Sequence, residues 1–418
     1  MEIDEAAVAD FGLYLGAEAG QTLPTIETLA RDEGMSDHGF TGLLEPLGDI
    51  VKGDASVLVG SAFSLMQRKL CDLGDSVLSA AKEYGYTEDS NVTMFERTSL
   101  NLDNDADITF GDGYGGDGFA NYNEGGSSNF LCASLDIGEI DRPNTRYSDD
   151  IDDTGPVLDV LDWIWREFEV DGDKGFTDSL ISPLAGNYKS IEANGEAWTS
   201  VGTNFGLMAA NLLINADALA ADHWKGDAAE AFKQFLDLFW KKGAVWAGEQ
   251  LGTFVAQGFN KIAEVSKQIA GLAIDAINVI IRAAVRIAAK AIPVVGWAWT
   301  AIQSLGKWGG KLIGVDIDDL YDDIMEIVNT AQAVFELFQA MESLVESMKN
   351  YFNTLEELIN TVKTIPEIGS LTDAVETAES IEASTAALEE QKTALGDSAA
   401  AADDALTELD SIGANAGN

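Results

Sequence analysis

The chain has 418 residues, 46% of them hydrophobic, and carries 71 acidic against 25 basic residues for a formal net charge of −46. That length and apolar content suffice for one large or several smaller cored domains and exclude a chain disordered by composition. The charge repels phosphate backbones over the whole surface, which excludes nucleic-acid binding, and it suits either a high-salt cytoplasm or an exported protein that must stay soluble.

The opening "MEIDEAAVAD" carries acids where a secretory leader would carry Lys or Arg, and no apolar run follows. An exported form is therefore expected to use a route other than the general secretory one. Residues 5 to about 31 read as a first helix. The Gly-rich "DEGMSDHGFTGLLEPLGDIVKGD" reads as a turn region before a second helix, in which Ala62, Met66, Leu70, Leu73, Val77, Ala80 and Tyr84 recur at steps of three and four. Residues 1–98 are thus expected to form a helical hairpin.

Residues 99–155 hold nine Gly, with two basic against thirteen acidic residues and no sustained apolar period, and read as an acidic Gly-rich linker. Within them "DNDADITFGDGY" spaces its acids as a calcium loop does, but it lacks the Gly at the sixth position and the Glu at the twelfth. A solvated acidic loop is expected there, and no metal site.

Residues 156–314 turn helical again with "VLDVLDWIWREF", break at "DGDKGF", and continue as helix, turn, helix. In the first arm Ile191, Trp198, Phe205, Leu212 and Leu219 fall seven apart, the spacing of an antiparallel seam; in the second Ala228, Phe232, Phe235 and Phe239 keep steps of four and three. Between the arms lies "HWKGDAAEAF". Gly226 tolerates positive φ and Asp227 can cap the following helix, which accounts for the turn without giving Trp224 a structural role.

From Trp240 to Gly314 nine basic residues face three acidic ones, an island of positive charge. One reading packs it against the chain's own acidic helices; the other makes Lys261, Lys267, Arg282, Arg286 and Lys290 an amphipathic face for an anionic membrane or a partner. The most apolar run, Ile269 to Ile302, is broken by Asp275, Arg282, Arg286, Lys290 and Pro293, which argues against a membrane-spanning helix.

In residues 315–418 a heptad seam runs through Leu320, Ile324, Ile327, Ala331, Val334, Phe338, Met341, Val345, Met348, Phe352, Leu355, Ile359 and Val362. Pro366 and Gly369 end it, and an Ala-rich acidic helix follows from about 371 to 409. The two are expected to fold back on each other, with self-association through 320–362 as the alternative. The expected fold class is all-α: two helical hairpin modules, four-helix-bundle-like, plus long coiled-coil-like C-terminal helices and an acidic Gly-rich irregular linker.

Little points to catalysis. The two His, His38 and His223, lie in no metal-ligand or nucleophile pattern, and no phosphate-binding Gly loop follows a strand. No catalytic residue, metal or cofactor is therefore expected. Cys71 and Cys132 form no disulfide framework or zinc knuckle, and a single bridge between them stays open.

The hairpin from Gly186 to Trp240 resembles the Trp-x-Gly (WXG) superfamily of type VII (ESX) secretion substrates, with Trp224-Lys225-Gly226 in the connection of two antiparallel helices. The lead-in "PLAGNYKSIEANGEAW" and the following "GDAAEAF" are similar to the actinobacterial branch, in which the hairpin heads larger exported proteins and polymorphic toxins. The first module resembles the EspC-like substrates, whose export tag is a Tyr followed four residues later by an acid. Tyr84 and Glu88 supply that pair, whereas Tyr321 and Tyr351 are followed at that distance by Met325 and Leu355.

The resemblance implies a non-enzymatic, secreted or cell-surface protein, recognised by a type VII secretion ATPase through Trp224, Gly226, Tyr84 and Glu88. Trp198 and Phe232 belong to the hairpin core. The family's helical dimer partner would be a WXG-type chain or, as expected here, the chain itself, its two modules packed as an intrachain pseudo-dimer. The tail implies no toxin activity. Two other readings stand beside this one: a secreted effector acting on membranes through 260–312, and a cytoplasmic coiled-coil scaffold of a salt-adapted organism.

Overall fold

The computed structural model describes residues 2–84, 130–155, 157–226, 229, 232, 245–289, 317–363 and scattered positions between 383 and 397. These residues are mostly helical, and the chain is all-α.

The first rod begins at Asp4, whose side chain accepts a hydrogen bond from the Ala7 N–H (3.2 Å) and so caps α1 (Glu5–Ala17). It continues through a π turn (Glu18–Thr22), α2 (Leu23–Thr28) and a second π turn (Leu29–Gly34). The first π turn has a cause in Pro24. A proline within a helix donates no hydrogen bond and crowds the carbonyl four residues back, and widening the preceding turn relieves both.

The second rod starts earlier than its glycines suggest. α3 (Glu45–Ile50) opens with Pro46 in its first turn, where an N–H is not needed, and passes through a π turn (Val51–Ala55), bent at Gly53, into α4 (Ser56–Tyr84). Gly48 is not a breaker but a contact: a Cβ there would lie 2.7 Å from Phe40 Cβ. The rods run antiparallel, since Gly60 faces Glu27 and Arg31 while Gly74 faces Leu15 and Gly16. They cross closely at Gly12 and Gly74, where a Cβ on either would lie 2.9 Å from the other's carbonyl oxygen.

In the second half α5 (Leu158–Glu167) buries Leu161, Trp163, Ile164 and Trp165, and the Trp165 ring meets Phe176 edge-on at 5.0 Å. α6 (Tyr188–Ala218) is capped by Asn187, which accepts from the Ser190 N–H, and runs on through a π turn (Leu219–His223) into β2 (Trp224–Lys225). Then come α7 (Val245–Ala289) and α8 (Ile317–Lys363). Ile191, Trp198, Phe205 and Leu212 are buried as one face of α6, and Leu219, opening the π turn, is buried in line with them.

α6 packs on α7 through glycine, with a Cβ at Gly252 placed 2.7 Å from Gly202 Cα. α7 in turn covers the heptad seam of α8, which is buried from Leu320 to Phe352. The pairing is antiparallel: Arg286 meets Asp323 (3.1 Å), Ser266 meets Met341 Sδ (3.6 Å) and Phe259 meets Phe352 at a centroid distance of 5.7 Å. The helix before the seam is thus one neighbour of it, because Val255, Phe259, Ile262, Ile269 and Ile277 give α7 an apolar face of the same period; most of the helix expected to fold back on it, 371–409, lies outside the described residues. A single contiguous core links both halves, from Ala7 to Phe352. Among the described residues no helix is long and apolar enough to cross a membrane.

Residues 130–155 are irregular apart from a 3-10 turn at Tyr147–Asp150, yet they do not hang free. They lie across the junction of the first rod with α6, anchored by Phe130 on Phe11 (5.2 Å) and by Tyr147 stacked on Tyr188 (4.9 Å).

Candidate functional site

The Trp-x-Gly turn is held by the start of the chain. β1 (Glu2–Ile3) pairs antiparallel with β2, Ile3 opposite Trp224 and Glu2 opposite Lys225. The Asp4 N–H donates to the His223 carbonyl oxygen (2.7 Å), and His223 Nδ1 donates to Asp4 Oδ2 (3.0 Å). Asp4 therefore does two things with one carboxylate: Oδ1 caps α1 and Oδ2 ties the end of the π turn to it. Gly226 sits at φ 126°, a conformation that an L side chain resists, so glycine is required there.

Trp224 is only 4% exposed. Its ring lies 5.4 Å from Phe232, which meets Phe11 edge-on at 5.7 Å, and Phe11 continues to Phe130. The expectation that Trp224 lacks a structural role is thereby corrected. The residue closes the aromatic cluster under the N-terminal strand, and burying an indole is strongly favourable. Its Nε1 finds no protein acceptor among the described residues. What the turn presents outward is Lys225 and Gly226, both exposed.

Tyr84 is the last residue of α4; its side chain, like Glu88 and the calcium-like segment, lies outside the described residues. The antiparallel register carries the end of α4 toward the beginning of α1, the end at which β1 pairs with Trp224. Of the five basic candidates, the four among the described residues do not converge. Arg282 pairs with Asp152 (3.7 Å), and Arg286 pairs with both Asp323 and Glu326. Lys261 reaches Glu264 (3.2 Å), Lys267 lies 5.4 Å over the Tyr188 ring, and Lys290 lies outside the described residues. Exposed pairs of this kind contribute little stability, but they turn both arginines toward the chain's own acids.

Cys71 and Cys132 are both free. Burial, then Asp75, pushes the Cys71 thiol up to about 12; burial, then Glu18, does the same to Cys132. Because the thiolate is the nucleophile, iodoacetamide at pH 8 should label both cysteines roughly a thousandfold more slowly in the folded protein than in denaturant. Mass-spectrometric labelling kinetics would check this, and equal rates in the two states would mean that neither thiol is held as described.

Reading the sequence for apolar period alone passes over a second set of residues, the asparagines of α6. Asn194, Asn204 and Asn211, with the cap Asn187, all bond to other parts of the chain. Asparagine is a poor residue for a helix interior, so its recurrence along a 31-residue helix was the available signal.

No protein-family model matches the chain, and neither the curated proteins nor the solved structures provide a match.

Proposed function

We propose that this protein is a non-enzymatic substrate of a type VII (ESX) secretion system, exported to the cell surface or medium. The reading rests on the resemblance of its Trp-x-Gly hairpin to that family. One structural observation supports it: Trp224-Lys225-Gly226 forms a fixed turn at the end of a long helical arm, with Gly226 at positive φ and the Lys225–Gly226 edge exposed. The end of α4, where the Tyr84 and Glu88 pair begins, points to the same end of the molecule. The secretion ATPase then meets a folded helical end, with Trp224 setting the shape of the turn from beneath rather than offering its ring.

The test is export in a host with an active type VII system, followed by blotting of the culture supernatant. Trp224→Ala removes the ring that shapes the turn, and Tyr84→Ala removes the aromatic of the tag. Both are expected to remain helical and to accumulate inside the cell, with export reduced at least about tenfold. Unchanged export of both variants would remove the assignment.

A further inference from the structure

The segment from Phe130 to Tyr147 is held mainly through its main chain. Asn204 of α6 grips Asp136 at both backbone groups: its Oδ1 accepts from the Asp136 N–H (2.6 Å) and its Nδ2 donates to the Asp136 carbonyl (2.8 Å). Asn211 Nδ2 donates to the Leu131 carbonyl (2.8 Å) and Asn187 Nδ2 to the Pro143 carbonyl (2.7 Å). From the first rod, Glu18 Oε1 accepts from the Ala133 N–H (2.8 Å). These are the bonds a neighbouring strand would supply, made here by side chains standing on helices. A main chain read in this way is recognised for being extended, whatever its side chains are.

Side chains add two kinds of anchor. Phe130 and Tyr147 are buried at the ends. Arg142 enters between the first rod and α6, donating to Glu33 Oε2 (3.2 Å), the Glu33 carbonyl, the Ser190 carbonyl (2.9 Å) and Asn194 Oδ1 (2.7 Å). Between Phe130 and Tyr147 no residue is fully buried, and Leu131 and Ile137 are 63% and 41% exposed. The helical core beneath is continuous without the intervening residues. Between its two buried ends the segment adds only the partly buried Ala133, Leu135 and Ile140 to the core, so it opens at a lower free energy than the helices carrying it.

We propose that the trough between the first rod and α6 is a binding groove for an extended peptide, filled in the folded chain by its own residues 130–147. The ligand it fits has an aromatic anchor and, twelve residues on, an arginine for the pocket of Glu33, Ser190 and Asn194. The proposal is independent of the export reading, since it needs neither Trp224 nor Tyr84.

The covalently attached segment competes with any free peptide at an effective concentration of about millimolar, so a free ligand binds the intact chain weakly. The test uses a fluorescent synthetic peptide of residues 130–147 and the full-length chain, read by anisotropy. In one variant the tethered segment is weakened by Phe130→Ser and Arg142→Ala; in a second, Asn204→Ala is added in the groove. Binding to the first variant is expected to be at least tenfold tighter than to the unaltered chain, and to fall at least tenfold in the second. Absence of binding to a first variant that keeps its helical circular dichroism, or equal binding to it and to the unaltered chain, would overturn the proposal. Amide exchange on the unaltered chain tests the same point without a variant. The Ala133 and Asp136 amides should exchange at least tenfold faster than that of buried Phe205 in α6, and exchange of all three only through global unfolding would also overturn it.

Discussion

Trp198→Ala is expected to lower the unfolding free energy by about 3–5 kcal/mol, the usual range for truncating a fully buried tryptophan. Trp198 has no exposed surface and its Nε1 donates to the Gly34 carbonyl at 3.0 Å, at the point where the first rod ends against α6. The substitution removes the packing that joins the two halves of the core, and it leaves a buried carbonyl without its donor. Trp198→Phe separates the two effects: it keeps most of the ring and loses the hydrogen bond, for an expected cost of about 1 kcal/mol plus some packing. Denaturant melts followed by far-ultraviolet circular dichroism would measure both. A loss below about 1 kcal/mol for the alanine variant would mean that the rod and α6 do not share this residue.

Gly252→Leu is expected to cost about 3 kcal/mol, because no flexible group stands where the new side chain must go. A Cβ at Gly252 would lie 2.7 Å from Gly202 Cα, 2.8 Å from Gly202 N and 3.2 Å from the Trp198 carbonyl oxygen, all of them backbone atoms of α6. The two helices would have to part, and Trp198 would be disturbed with them. Gly271, on the same helix, provides the control, as a Cβ there has nothing within 4 Å. Gly271→Ala should therefore stabilise by up to about 1 kcal/mol through helix propensity alone. Thermal melts of the pair, shifting in opposite directions, would establish the close crossing of α6 and α7; shifts in the same direction would contradict it.

Both expectations concern glycines and a tryptophan whose importance is only partly visible in the sequence. The sevenfold stripe from Ile191 to Leu219 predicts burial of Trp198, and Trp198 is buried. Nothing in that stripe says that its indole N–H ends on Gly34, because the partner lies 164 residues away. Likewise the glycines between residues 34 and 53 read as breakers. Glycine relieves crowding between helices as readily as it ends one, and only the packing of Gly48 on Phe40 tells which applies.

The Trp-x-Gly turn shows the same division. Gly226 was legible, since a turn between helices calls for a residue that tolerates positive φ, and its φ is 126°. The burial of Trp224 was not, because it depends on β1, Asp4, Phe11 and Phe130, which come from two other parts of the chain.

By itself, the sequence determined the helical class and which faces of α4, α6 and α8 are apolar, because side-chain period and backbone propensity act over a few residues. Which face meets which was decided only in three dimensions. The seam of α8 lies on α7, a neighbour that its period alone does not name, while most of the tail lies outside the described residues and its Glu389 comes near enough to Tyr351 to raise the phenol's pKa beyond what burial does; Arg282 and Arg286 of the basic island lie beside Asp152, Asp323 and Glu326. An apolar stripe gains nearly the same free energy from any partner of matching period, so the choice rests on chain connectivity and close fit, neither of which a local pattern carries.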